Sequence, residues 1–318
     1  MIQNKKIKIL FIIAVVIFIL LLAIYINHKI HLQKESSLLT PVGQLVEVDG
    51  HNMSVYIEGS GDITLVFLSG GGTSSPILDF KSLYSLLSDA YQIAVVEKFG
   101  YGFSDIVDKS RDIDSILEDT RAALTAAGLQ APYVLCPHSM SGLEALYWAQ
   151  KYPNEVSAII GLDMAVPQYY DNMNINIPLM RLSSLAANIG ITRLIPGIAE
   201  SDAIRHGTLS DKEKEIYKAV FYNRTATVTM INEAAAAKEN AQKVEAMDVP
   251  QLPMLLFISD GSGGTGFDKE TWRGIPVEYL SQVNDGTYIE LDCPHYVHNY
   301  EYQTIAEHIS DFLSRLFG

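Results

Sequence analysis

Tyr133-Val134-Leu135-Cys136-Pro137-His138-Ser139-Met140-Ser141-Gly142-Leu143-Glu144-Ala145 is a short apolar run that breaks at a serine and resumes with helical spacing. A strand that turns through a serine straight into a helix lifts the hydroxyl out of the sheet edge and aims the next backbone N–H at the same point. Ser139 is therefore the candidate nucleophile. The usual spelling of such a turn is G-x-S-x-G, with small residues where strand and helix nearly touch. Pro137 and Ser141 hold those two places here, with Gly142 one residue behind. An extended strand end tolerates proline, which fixes φ and lacks an N–H. A serine between strand and helix is more often an N-cap, so the assignment depends on partners elsewhere in the chain.

Outward from this turn, strands and helices alternate. Gln44–Val48 and Met53–Glu58 read as a hairpin around Asp49-Gly50, and Ile63–Leu68 as a strand covered on both faces. A helix is expected near Ser75–Ser88, a strand at Gln92–Glu97, a helix at Asp112–Ala127 closed by Gly128, and a helix at Leu143–Lys151. Strands follow at Ser157–Leu162, Met254–Asp260 and Thr287–Leu291, with helices near Lys269–Val283 and Ile305–Leu316. Such alternation predicts a mostly parallel sheet covered by helices. Between Val166 and Val249 the pattern is helical without strands, too long for a loop, and predicts an inserted helical cap. Tyr169, Tyr170, Met173, Met180, Tyr217, Phe221, Tyr222 and Met230 either line a pocket beneath it or form its own core.

Ile9–Ile26 is apolar and uncharged, long enough at a rise of about 1.5 Å per residue to span a hydrocarbon core. No small-x-small cleavage site follows, which favours an uncleaved anchor over a signal peptide. Lys5, Lys6 and Lys8 precede the span and place the N-terminus in the cytoplasm, with the remainder outside and a polar tether to about Pro41. Five of the 23 basic residues and none of the 37 acidic ones precede Glu35, so the body carries 18 basic against 37 acidic residues. That balance argues against nucleic acid and anionic lipid as partners. Cys136 and Cys293 lack metal-site spacing and read as free and buried.

A nucleophilic serine needs an imidazole in reach and a carboxylate to orient it. Three sheet ends supply them: Ser139, Asp260 and His295, with Asp163 at the end of Ser157–Leu162 as the alternative acid. Ser69-Gly70-Gly71-Gly72-Thr73 ends a strand, and an oxyanion hole draws one N–H from such a loop and one from the residue after the nucleophile. Gly71 and Met140 are the candidate donors, with Gly72 the alternative to Gly71. Gly261-Ser262-Gly263-Gly264-Thr265-Gly266 matches G-x-G-x-x-G, but it lies late in the chain. It reads instead as a bend bringing Asp260 to His295.

With these residues in order, the chain from about Gln44 to Gly318 resembles the α/β-hydrolase family. Leu68–Gly71 stands where the family has its oxyanion turn, with Ser69 replacing histidine. Gly100–Asp105 resembles its G-x-G-x-S-D stretch and Cys136–Gly142 its elbow. Pro294–His298 with Asp311-Phe312-Leu313 resembles the closing segment. The resemblance implies a mostly parallel eight-stranded sheet, with residues 35–165 and 250–318 the core and 166–249 the cap; residues 1–34, by their apolar run, are expected to be a membrane anchor spanning about 9–26. It implies a serine hydrolase that cleaves a small-molecule carboxylic ester through an acyl-enzyme, with no metal or cofactor, and the apolar run makes that hydrolase membrane-anchored. A peptidase removing an N-terminal proline-type residue and a catalytically silent small-ligand receptor are the alternatives.

Overall fold

Leu65-Val66-Phe67-Leu68 and Val134-Leu135-Cys136 have no polar face to offer water. In the computed structural model, which describes residues 2–171 and 173–318, they form the middle of one eight-stranded sheet. The strands are β1 (Gln44–Val48), β2 (His51–Glu58), β3 (Thr64–Leu68), β4 (Gln92–Glu97), β5 (Tyr133–Pro137), β6 (Val156–Leu162), β7 (Met254–Ile258) and β8 (Gly286–Glu290). Their spatial order is β1-β2-β4-β3-β5-β6-β7-β8. β2 is antiparallel to both neighbours and every other pair is parallel, the layout expected from the alternation. Successive side chains point to opposite faces. Val66 and Leu68 therefore pack with Leu143, Leu146 and Trp148 on one side, and Leu65 and Phe67 with Phe80, Tyr84, Ile309 and Phe312 on the other.

Local chemistry fixes the starts of several helices. Asp112 accepts the Ser115 N–H at 3.1 Å to start Ile113–Ala126, and Ser210 and Glu213 form a reciprocal capping box on Asp211–Arg224. The expected helix near Ser75–Ser88 is instead two single turns, Pro76–Asp79 and Lys81–Tyr84. Tertiary bonds override the helical period there. Asp79 is buried against His298 Nε2 at 2.8 Å and accepts the Tyr217 hydroxyl at 3.3 Å, while Ser82 Oγ accepts the Thr208 N–H at 2.9 Å. Between β6 and β7 the described residues hold helices Ile177–Ile189, Asp202–Arg205, Asp211–Arg224 and Val228–Glu245 and no strand.

The N-terminal helix runs from Ile2 to Glu35 and is followed by a 3₁₀ turn at Ser36–Leu38. It is long and apolar enough to cross a membrane, with a mean hydropathy of 3.5 in its apolar window. A polar tether is expected after Ile26, and the structure differs: the helix continues and packs on the inserted helices through one stripe, Ile24, His28, Leu32 and Glu35. Residues spaced by about four share a helix face, and the stripe shows only once its partner is known.

Glu97, at the end of β4, is fully buried and supports the following loop by accepting the Phe103 N–H at 2.8 Å. Burial pushes its carboxyl up to about 7. A folded-state value above the unfolded one gives stability that is present below the unfolded value and lost as pH rises through about 7. Glu97→Gln keeps an acceptor for Phe103 without the charge. It should gain on the order of 2 kcal/mol over the wild type at pH 8, and much less at pH 5, in denaturant titrations. Equal gaps at the two pH values would contradict this.

Candidate active site

β5 delivers the serine. His138 continues the ladder that Pro137 cannot, donating its N–H to Leu68 O at 2.9 Å. Ser139 then takes φ +53°, the left-handed region that a non-glycine residue rarely occupies, and the helix Ser141–Lys151 follows at once. The departures from G-x-S-x-G are explained here. A Cβ at Gly142 would stand 2.1 Å from Ala165 O, and one at Gly70 would stand 2.6 Å from Ser139 Cβ. The positions that need glycine are thus 142 and 70. Ser141 uses its hydroxyl to hold the carbonyl of Ser69.

His295 lies after β8, where its N–H donates to Ser262 O at 2.9 Å. Its Nε2 is 2.9 Å from Ser139 Oγ, and its Nδ1 is 2.5 Å from Asp163 Oδ2. Asp163 follows β6 at φ +52° and is buried. Its Oδ1 accepts the Ser259 N–H at 2.7 Å and the Trp272 indole N–H at 2.9 Å, and its Oδ2 also accepts the Ser259 hydroxyl at 2.7 Å. The carboxylate against the imidazole is therefore Asp163, and the expectation that Asp260 would occupy that place is corrected. Asp260 bends back on its own loop: Oδ1 accepts the Ser262 N–H at 2.8 Å, an Asx turn. The glycine bend, with positive φ at Gly261, Gly263, Gly264 and Gly266, turns Ser262 O toward the backbone of His295 and leaves the Asp260 side chain outside.

Among the described residues the N–H groups of Gly71 and Met140 have no protein acceptor, whereas the Gly72 N–H donates to the Tyr101 hydroxyl at 3.3 Å. The alternative donor Gly72 is thus engaged. Tyr101 donates in turn to Glu233 Oε2 at 2.6 Å, and Glu233 forms a buried ion pair with Lys98, whose ammonium is 3.4 Å from Ser141 Oγ. Sequence reading missed this chain and the Ser259 and Trp272 brackets on Asp163. Buried polar residues carry no periodicity to mark them, and Trp272 is 109 residues from Asp163.

His138 packs against His295 with ring centroids 4.7 Å apart. Burial first, and then the neighbouring His295 and His298, hold its pKa well below the usual histidine value. His138 is therefore neutral and places no positive charge against the ring of His295. A cavity of about 220 Å³ opens beside the glycine loop that follows β3, between Gly72, Thr73, Tyr217, Phe221 and Tyr296. A hollow of about 610 Å³ on the sheet flank, near Arg121 and Trp148, touches none of these residues. Tyr169 stacks on Trp272 at 4.3 Å and donates to its carbonyl, so it belongs to the support of Asp163. No group of three or more His, Cys, Asp or Glu among the described residues is arranged to hold a metal ion.

A strand order of this kind, with a serine elbow after β5 and a histidine loop after β8, is the α/β-hydrolase fold, and the chain belongs to that superfamily. A family model described as the alpha/beta hydrolase fold matches residues 63–184, a stretch that includes Ser139 and Asp163. The uncharacterized protein YbdG of Bacillus subtilis (strain 168) is 36% identical over 320 residues, covering 98% of each chain. The cis-3-alkyl-4-alkyloxetan-2-one decarboxylase of Shewanella oneidensis is 22% identical over 285 residues, 84% of this chain and 86% of its own. The solved structure of epoxide hydrolase VrEH1 from Vigna radiata superposes with a TM-score of 0.66 at 17% identity, covering 86% of this chain and 97% of that one, a likeness of fold alone.

Proposed function

We propose that the protein is a serine hydrolase that cleaves a carboxylic ester with Ser139, His295 and Asp163 as its triad. The observation that carries this is the continuous path Ser139 Oγ, His295 Nε2, His295 Nδ1 and Asp163 Oδ2, at 2.9 and 2.5 Å. Ser139 Oγ attacks the ester carbonyl carbon and its proton passes to His295 Nε2. The N–H groups of Gly71 and Met140 hold the oxyanion. Collapse expels the alcohol, which takes the proton from His295. Water then attacks the acyl-enzyme, with His295 again as base, and releases the acid and the free serine. Asp163 keeps the proton of His295 on Nδ1 and stabilises the imidazolium.

In this reading the helices of residues 166–249 form a cap over the catalytic edge, and residues 35–165 and 250–318 form the core. The N-terminal helix spans the cell membrane, with its lysine-flanked start in the cytoplasm and the body outside. Incubating the protein with a fluorophosphonate, followed by peptide mapping, should label Ser139 stoichiometrically, and esters graded in acyl length should then show turnover. Labelling elsewhere, or none, would exclude the reading.

A further inference from the structure

The N-terminal helix is latched to the body where its apolar run ends. His28, two residues past Ile26, is 2% exposed and lies over Gly190, where a Cβ would come within 2.4 Å of His28 Cβ. Arg193 Nε donates to His28 Nδ1 at 2.9 Å, and its two terminal nitrogens donate to both carboxylate oxygens of Glu35 at 2.8 and 2.6 Å. A bidentate pair one end of which also grips a buried histidine two turns away holds the helix axis in a fixed direction. A span so held sets the inserted helices at the hydrocarbon boundary.

The helix that ends at Gly190 carries an unpartnered apolar face. Leu179, Leu182 and Leu185 on Ile177–Ile189, and Leu194 and Ile195 after it, are each about half exposed or more, with Leu182 at 61%. From Met173 to Ala199 there is no Asp or Glu, in a chain that holds 37. An apolar ridge free of acid beside a latched span matches a bilayer surface. The turn that carries Leu194 and Ile195 continues to Ile198 and Ser201, which line the 220 Å³ cavity beside Gly72 and Tyr296.

We propose that Leu179, Leu182, Leu185, Leu194 and Ile195 bed into the same bilayer that the N-terminal helix crosses, so that the site is fed from lipid and its ester is one carried in the membrane. The docking rests on the latch and the ridge; the substrate class rests also on the hydrolase reading. Because the body is acidic, the contact is apolar and persists on zwitterionic lipid at high salt.

The test uses the full chain in phosphatidylcholine vesicles. Leu182→Trp should be quenched by acyl-chain-brominated phosphatidylcholine several-fold more than Leu86→Trp, a reporter at an exposed position on the core; Trp148 and Trp272, both buried, supply the background. Equal quenching at the two positions overturns the docking, as does cross-linking of Leu182→Cys to a second copy. In the second arm, Leu179→Ser/Leu182→Ser/Leu185→Ser should keep fluorophosphonate labelling and turnover of a water-soluble short ester. The half-saturating mole fraction of a long-chain ester dispersed in the vesicles should rise about tenfold, on the order of 1.4 kcal/mol. An unchanged mole fraction overturns the lipid-fed substrate. Loss of labelling in the wild type would instead sink the hydrolase reading, leaving the quenching result to decide the docking.

Discussion

If Ser139 is the nucleophile proposed, Ser139→Ala should abolish fluorophosphonate labelling and lower ester turnover by about 10⁶-fold, the scale seen when the triad serine of a serine protease is removed. The substitution deletes one hydroxyl whose hydrogen-bond partner is His295 Nε2. It leaves the elbow's backbone bonds intact, since the Ser139 carbonyl accepts the N–H of Gly142 at 2.9 Å and of Ala165 at 2.7 Å. Alanine at φ +53° is strained much as serine is, so the melting temperature should stay within a few degrees. Loss of activity with an unchanged melting transition separates a chemical role from a structural one. A variant that still turns over esters at a tenth of the wild-type rate would show that Ser139 is not the nucleophile.

The elbow could be read from sequence because three local signals coincide there: an apolar strand, a serine and a glycine within three residues of it. The central strands of the sheet were legible for the same reason, β3, β5 and β7 being apolar at nearly every position, while the count of eight came from the family resemblance. What escaped depends on directions rather than residue types. Asp163 and Asp260 end neighbouring strands, β6 and β7, which are paired through Leu162 and Phe257. Nothing in either segment tells which carboxylate turns inward. The choice is made by a left-handed turn at Asp163 and by the indole of Trp272 arriving from a distant helix. The extension of the N-terminal helix past Ile26 escaped for a related reason: His28 and Glu35 are ordinary polar residues until Arg193 is placed beside them.

The same geometry decides the expected outcome at the two aspartates. Asp163→Asn should lower turnover by on the order of 10⁴-fold, the loss measured when the triad aspartate of a well-studied serine protease is made asparagine. The cause is the tautomer. An amide at position 163 can still accept the Ser259 N–H and the Trp272 indole N–H through its oxygen, and its nitrogen then faces His295 Nδ1. An amide nitrogen only donates, so Nδ1 must become the acceptor and the ring proton moves to Nε2. His295 then presents a donor to Ser139 Oγ and cannot take its proton. The Ser259 hydroxyl, which donates to Oδ2, faces the amide nitrogen as well, so some stability is lost alongside the rate. Asp260→Asn should do little to turnover, because among the described residues its Oδ1 serves only the Ser262 N–H, and asparagine supports the same Asx turn. Measuring turnover and melting temperature for both variants separates the roles. A turnover loss of a hundredfold or more in Asp260→Asn, with Asp163→Asn near the wild type, would mean that the carboxylate bound to His295 in this structure is not the one that acts.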